Sequence, residues 1–300
     1  MTQDALLLID KPTGCTSHDV VQKLRRLLGQ RRIGHCGTLD PGATGLLVMT
    51  LGRATRLTRF LIQAPKIYEG HIKFGAATDT YDALGEVTAE FSIDELTEQA
   101  VLAAMPGFVG KYEQVAPAFS AKKLDGRKYY EMARKGEEVP ESRKEITVFS
   151  LDSTGPLENG VLPFKLECST GTYVRTLAHE LGRTLGCGGH LATLRRTKVG
   201  PFTLENAIEL DPLAELHDPK AGPWWIPFDS IPLPFAEVEL DVSQTRRILH
   251  GQTVLVRDLP GEEGDWVKVQ DNRRRFIAVG SVSERIGRDV GIIQPKIVFS

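Results

Sequence analysis

Long apolar runs are missing from this 300-residue sequence. No stretch reaches the ~18 or more apolar residues that a membrane helix needs, so no span is expected. Met1–Ile9 lacks a basic n-region, which speaks against a secretory signal. Cysteine is scarce: Cys15, Cys36, Cys168 and Cys187 are scattered and form no CxxC pair. That pattern argues against a disulfide framework and points to a reducing, cytoplasmic setting. It also argues against a zinc site, which needs closely spaced ligand pairs. Dinucleotide-type glycine fingerprints, internal repeats and low-complexity tracts are absent as well.

Charge of one sign is missing locally. Between Gln22 and Leu39 no acid occurs, while Lys23, Arg25, Arg26, Arg31, Arg32 and His35 do. Between Glu205 and Asp241 the reverse holds, with Lys220 the sole Lys or Arg. Further basic clusters are Lys122, Lys123, Arg127, Lys128, Arg134 and Lys135; Arg195, Arg196 and Lys198; and Arg273, Arg274 and Arg275. Any one cluster reads as a solvated face. Together, under a net charge of only −2, they point to a polyanion-binding surface.

The expected fold is an α/β protein of the α+β type, with a large mixed, mostly antiparallel sheet flanked by helices; strand patterns interleaved with capped helices are the warrant for the mixed sheet. Ala5–Ile9 reads as a strand entering the Asp10-Lys11-Pro12 turn. Ser17 looks like the N-cap of a helix through Val20, Val21, Leu24, Leu27 and Leu28, closed by Gly29. Lys66–Phe74 alternates, with Tyr68, Gly70, Ile72 and Phe74 on one face. Ser92 and Glu95 suggest a capping box for a helix ending before Pro106. Leu162, Phe164, Leu166 and Cys168 form another strand, followed by a helix through Val174, Leu177, Ala178, Leu181 and Leu185. The polar, basic stretch from Ala116 to Ser142 reads as a mobile insertion. Acidic, Pro-rich sequence from Asp211 to Pro234 reads as a connector. Short strand candidates after it, at Thr253–Val256, Trp266–Val269, Phe276–Val279 and Val290–Val298, suggest a small β-barrel-like module. The expected division is therefore residues 1–230 and 232–300.

The most unusual segment is Gly34-His35-Cys36-Gly37-Thr38-Leu39-Asp40-Pro41-Gly42-Ala43-Thr44-Gly45-Leu46-Leu47. Its glycines let a ligand approach the backbone closely. Pro41 restricts Asp40 to an extended conformation. A carboxylate is thus offered on a loop between apolar runs, where functional groups tend to sit. By itself an Asp in such a loop is more often a turn residue. Cys36 beside His35 also invites a cysteine-hydrolase reading, but loop neighbours rarely point at each other.

Leu8-Ile9-Asp10-Lys11-Pro12-Thr13-Gly14-Cys15-Thr16-Ser17, followed by His35–Leu47, resembles the two opening motifs of the bacterial tRNA pseudouridine-55 synthases, the TruB family. Lys66-Ile67-Tyr68 before Gly75, with Thr78-Asp79-Thr80-Tyr81-Asp82, resembles the third motif. Phe119-Ser120-Ala121-Lys122-Lys123 before Gly126 is similar to the family's basic insertion. Ser169–Leu177 resembles its arginine motif, and Leu194-Arg195-Arg196 the element after it. The tail resembles the small RNA-binding PUA module, without a sharp motif. Ile9 departs from the family's usual Leu, which puts nothing in doubt.

The resemblance implies an isomerase that flips the uridine out of the tRNA T loop and remakes its glycosidic bond from N1 to C5. Nothing is oxidised and no group is donated, so no cofactor or metal is implied. Asp40 is then the catalytic carboxylate, and Arg175, early in its helix, the cation that keeps it charged. Tyr68 is a candidate to lie on the uracil face and handle the C5 proton. Without the family, Arg175 would read as an exposed helix arginine and Tyr68 as a strand-core aromatic. His35 resembles the residue that fills the vacated stack, and Leu194 a pocket wall. Lys11, Lys122, Lys123, Arg127, Arg195 and Arg196 are the expected RNA-binding cations. The T stem-loop of tRNA is the expected partner, with the C-terminal module on the acceptor end and the protein a monomer. A rival reading keeps the same basic surface in a non-catalytic tRNA-binding or folding protein.

Overall fold

The computed structural model describes residues 3–117, 123–124, 127–129, 132, 140–287 and 289–299. Its main feature is an 11-stranded mixed sheet. Along the sheet run Ile208–Glu209, Ala5–Lys11, Thr44–Leu51, Gly189–Val199, Lys66–Phe74, Val161–Cys168, Arg143–Ser153 and Gly110–Val115. Two of these junctions are parallel, Ala5–Lys11 with Ile208–Glu209 and Thr44–Leu51 with Gly189–Val199; the rest are antiparallel. The parallel seam matters most. There Arg195 and Arg196 pair with Thr44 and Gly45. A Cβ on Gly45 would lie 2.4 Å from the Arg196 carbonyl oxygen, and Gly45 has φ +99°. Only glycine lets the strand leaving the Asp40 loop come this close.

Both faces of the sheet are buried at Ala5–Lys11 and Thr44–Leu51, whereas one face is exposed toward Arg143–Ser153 and Gly110–Val115. Leu7 and Ile9 enter one apolar cluster and Leu6 and Leu8 the other, as strand alternation requires. The first cluster takes in the helices Ser17–Leu27 and Val174–Thr184 through Val20, Val21, Leu24, Val174, Leu177, Ala178 and Leu181. The second joins Leu46, Val48 and Leu57 to Phe228, Ile231, Phe276, Val279, Ile297 and Phe299. It therefore welds the sheet to the last part of the chain. That part has its own five-stranded sheet: Ala236–Leu240, Trp266–Asp271, Phe276–Ile286, Val290–Val298 and Val254–Arg257. The two end strands of this order do not pair, so it is a half-barrel. A third cluster, with Val238, Leu240, Ile248, Val267, Val269 and Ile293, forms its private core.

Several local expectations need correction. Thr16, not Ser17, caps the first helix, with Asp19 completing the capping box. The helix expected from Ser92 starts at Glu98 with Thr97 as its cap, and a 3₁₀ turn, Met105–Phe108, carries the chain through Pro106. Ser92 instead accepts from Asp94 N and donates to its carboxylate, a local turn that competes with helix initiation. The Asp211–Pro234 stretch is no free connector. Leu210–Glu215 is helical, and Trp225–Pro227 pairs with Ala5–Leu7 as a strand. In the 116–142 insertion, Lys123–Leu124 and Arg127–Lys128 form a two-stranded ladder. Lys122, Arg134 and Lys135 lie outside the described residues.

Candidate active site

The two opening motifs form one piece of structure. Ser17 Oγ accepts from Leu39 N at 2.8 Å and donates to Leu39 O at 3.1 Å. Gly14 N donates to Pro41 O at 2.9 Å, and Ala43 N closes a turn onto Asp40 O at 3.0 Å. Leu39 and Ala43 are buried on either side. The Asp40 loop is thus pinned by backbone bonds, by the Ser17 hydroxyl and by apolar neighbours.

Arg175 faces Asp40, with Nε 3.4 Å from Oδ2. Its NH1 lies 3.6 Å from Asp82 Oδ2 and donates to Thr80 O at 3.3 Å. The arginine side chain is 5% exposed, against 46% for Asp40 and 18% for Asp82. Arg175 stands in the first turn of Val174–Thr184, whose cap residue Tyr173 offers no side-chain cap. Gln114, buried on the Gly110–Val115 strand, brackets that residue instead. Its Oε1 accepts from Tyr173 N at 2.7 Å and its Nε2 donates to Tyr173 O at 3.0 Å. Burial raises the Asp40 pKa; Arg175 opposes this, Asp82 adds to it, and Lys11 opposes it. Because nearly half of the side chain meets solvent, water tempers the shift.

Tyr68 projects from Lys66–Phe74, opposite Arg196 in register. The phenol is buried, which raises its pKa; the Arg196 charge and a hydrogen bond from its guanidinium act the other way. Arg196 itself is 1% exposed. Its Nε donates to Leu46 O at 2.8 Å and its NH2 to Gly37 O at 3.1 Å, tying both ends of the Asp40 segment to the seam. Lys11 is fully buried and donates to Pro12 O and Cys15 O at 2.9 and 2.7 Å. Neither cation reaches solvent: both, expected as substrate or RNA contacts, hold backbone carbonyls of the motifs on either side of Asp40. Sequence alone missed this because a basic residue in a motif reads as a surface group. Arg195 is the exposed member, paired with Asp10 at 2.5 Å. Leu194 is half-buried against the main core. His35 ends the short strand Ile33–His35, half-buried, with its pKa lowered by burial and then by Arg196.

Asp82, Thr80 and Gln114 were given no role from sequence. Asp82 stood in the quoted third motif, but nothing there signalled that it would meet Arg175 across the fold. Cys36 is ruled out as a nucleophile: it is fully buried, and that burial pushes its thiol up to about 12. Among the described residues no His, Cys, Asp and Glu cluster is arranged to hold a metal, and no helix is long and apolar enough to cross a membrane.

Known proteins share this architecture. A structure titled as a Cbf5–Nop10–Gar1 complex matches with a TM-score of 0.77 at 24% identity, covering 99% of this chain and 85% of that one. An H/ACA RNP bound to a substrate RNA containing 2′-deoxyuridine matches at 0.75 and 22% identity, covering 100% and 86%. At these identities the likeness establishes the fold. Residues 25–174 match the model of the TruB family pseudouridylate synthase N-terminal domain. Residues 175–221 match the tRNA pseudouridylate synthase B C-terminal domain, and 236–298 the pseudouridine synthase II TruB C-terminal model. Fold, site and models together define an enzyme of the pseudouridylate synthase class. Proteins called tRNA pseudouridine synthase B are 41% identical in Burkholderia mallei (strain NCTC 10247), over 98% of this chain and 96% of that one. In Opitutus terrae the figure is 48%, over 75% and 92%. The chain belongs to the TruB family.

Proposed function

We propose that Asp40 is the catalytic carboxylate by which this enzyme isomerises uridine-55 of the tRNA T loop to pseudouridine. The tRNA pseudouridylation itself follows from family membership. The observation that carries the assignment is the Asp40–Arg175–Asp82 row, one buried guanidinium between two carboxylates, of which Asp40 is the more exposed. The reaction breaks C1′–N1 and forms C1′–C5, so an anion must act at the sugar or the base while the uracil turns over. Arg175 keeps Asp40 ionised against the cost of burial. Asp82 and Thr80 O hold Arg175 from its far side, so the guanidinium need not swing when charge moves. Tyr68 stays a neutral phenol and supports the base from below, a surface on which the freed uracil can rotate. With the raised pKa that burial gives it, it exchanges a proton at C5 only while paired to an acceptor.

The target base must leave its stack, at a cost of a few kcal/mol. In this reading His35 fills the gap as a neutral ring and Leu194 walls the pocket. Arg195, with Lys122, Lys123 and Arg127 of the insertion, meets phosphates, which supply most affinity without reading sequence. The chain works as two modules, residues 1–230 and 232–300, joined through the shared apolar cluster, and the second meets the acceptor end. A monomer acting in the cytoplasm completes the proposal. Incubating the protein with an unmodified tRNA transcript and assaying pseudouridine tests it. Loss of product with Asp40→Asn while binding persists is the expected result. Product from Asp40→Asn at the normal single-turnover rate refutes the assignment and leaves the binding or folding role as the reading of this site.

A further inference from the structure

The Thr80–Asp82 loop carries a conformation that its sequence resists. Tyr81 has φ +65°, in the left-handed region that bulky residues avoid. Its ring lies flat on His179, with centroids 3.9 Å apart and planes 16° apart. His179 is four residues after Arg175 on the same helix, so both side chains leave one face of it. The three consecutive loop residues therefore all dock on that face: Thr80 through its carbonyl and Asp82 through its carboxylate on Arg175, and Tyr81 through its ring on His179. Backbone bonds from Tyr81 N to Thr78 O and from Leu191 N to Tyr81 O complete the clamp. Thr80 Oγ1 and Leu84 N both donate to Asp82 Oδ1, which leaves Oδ2 to face Arg175.

The left-handed turn is what lets residues on either side of Tyr81 present oxygen to one guanidinium. In an extended chain, neighbours separated by one residue point the same way, but their intervening carbonyls do not converge with a side chain. We infer that Tyr81, stacked on His179, is a positioning residue that sets Asp82 and Thr80 against Arg175 and so aligns Arg175 with Asp40. The inference rests on the reading of Asp40 and Arg175 given above. The charges that face Asp40 are Arg175, Asp82 and Lys11. The charge that faces His179 is Arg183, and burial followed by that charge lowers the imidazole pKa.

The test uses the full-length enzyme and an unmodified tRNA transcript, in single turnover with enzyme in excess, from about pH 6 to about pH 9. Tyr81→Asn keeps a residue that tolerates positive φ but removes the stack. Its rate is expected to fall about tenfold near pH 6 and to come within about twofold of the parent near pH 9, as a loosened Arg175 lets the Asp40 acid limb move up. Affinity for tRNA should not change. Tyr81→Phe should restore the parent profile. His179→Ala should reproduce the Tyr81→Asn profile, His179→Phe should rescue it, and the double variant Tyr81→Asn/His179→Ala should be no worse than either single one. A parent-like rate and profile in Tyr81→Asn overturns the inference. So does a fall that is uniform with pH, which marks general loosening, or a weakened tRNA Kd with an unmoved acid limb, which marks direct RNA contact. Asp40→Asn run alongside separates the two levels: an inactive Asp40→Asn with unaltered Tyr81→Asn sinks the inference alone, whereas an active Asp40→Asn sinks the reading beneath it.

Discussion

Two aspartate–arginine pairs in this molecule are built in opposite ways. In the half-barrel, Asp271 is 2% exposed and its Oδ2 lies 2.6 Å from Arg275 NH2. It also accepts from Arg275 Nε at 2.7 Å and from the backbone N–H of Arg273 and Arg275 at 2.9 Å each. Burial alone would raise its pKa, but these hydrogen bonds outweigh it and the carboxyl is held below its usual range. Asp40 meets its arginine at 3.4 Å, is 46% exposed, and has its pKa raised by burial despite Arg175. The arginines are reversed as well: Arg275 is 62% exposed, Arg175 5%. At Asp271 the carboxylate is saturated and fastens a turn. At Asp40 backbone bonds and the Ser17 hydroxyl fasten the loop, which in the proposed reading leaves the carboxylate lone pairs for a substrate. Reactive groups are kept incompletely satisfied, and that costs stability.

The largest effect expected of this contrast is in turnover. Asp40→Asn should bring single-turnover conversion below detection, a loss of about 10⁴-fold or more if the charge itself reacts. Its tRNA affinity should hold or rise, since a negative group near RNA is neutralised. Arg175→Met should be milder, about 10²-fold near neutral pH, because Asp40 remains but loses its counter-charge. The sign of the pH dependence follows. Without Arg175 the Asp40 pKa rises further, less of it is ionised, and activity should recover as pH increases. A rate deficit in Arg175→Met that is flat across pH would show that the arginine acts by geometry alone.

Sequence carried the motifs but not their assembly. Asp40 was legible through the resemblance of the motif around it; Pro41 and the glycines by themselves read more often as a turn. The strand and helix bearing Tyr68 and Arg175 were legible from alternation and 3.6-residue spacing. The burial of Lys11 and Arg196 was not legible, since no local pattern says that a basic side chain will thread inward to carbonyls of Pro12, Cys15, Leu46 and Gly37. Asp82 was out of reach for a related reason: its partner lies 93 positions away (175 − 82), and only sheet topology joins them. The connector reading failed because Pro and acidic composition describe exposure, while Trp225, Ile226 and Phe228 on the same stretch supply the contacts that strap it down.

A smaller effect on turnover is expected at Gln114, which no reading of its strand singled out. Gln114→Met keeps the volume but leaves the part-buried Tyr173 N–H without its partner and the Tyr173 C=O with the helix bond from Leu177 N alone. The first turn of the arginine helix should loosen and single-turnover rates fall about tenfold, with the tRNA Kd little changed. Gln114→Met at parental rate would mean that the apolar face of the helix, Val174, Leu177 and Leu181, positions Arg175 unaided.

The smallest effect on chemistry belongs to Asp271, and there the contrast can be read in stability. A carboxyl whose folded pKa is depressed stabilises the fold above its unfolded pKa, near the ordinary 3.8. That contribution is lost as pH falls through the lower folded value. Asp271→Asn removes it, and with it the charge on two backbone donors and the Arg275 Nε, a cost of about 1–3 kcal/mol for a buried site. Urea unfolding at neutral pH should show a lower midpoint with an unchanged slope, and the stability difference from the parent should shrink below about pH 4. Turnover should stay at the parental level where the protein is folded. For Asp40 the linkage runs the other way. Its raised pKa means that the folded state favours the neutral form, so ionisation at neutral pH costs stability, and Asp40→Asn should unfold at the parental midpoint or above it. Midpoints shifting in the same direction in the two variants would show that the Asp40–Arg175 pair is a structural tie like Asp271–Arg275, and the contrast drawn between them would fall.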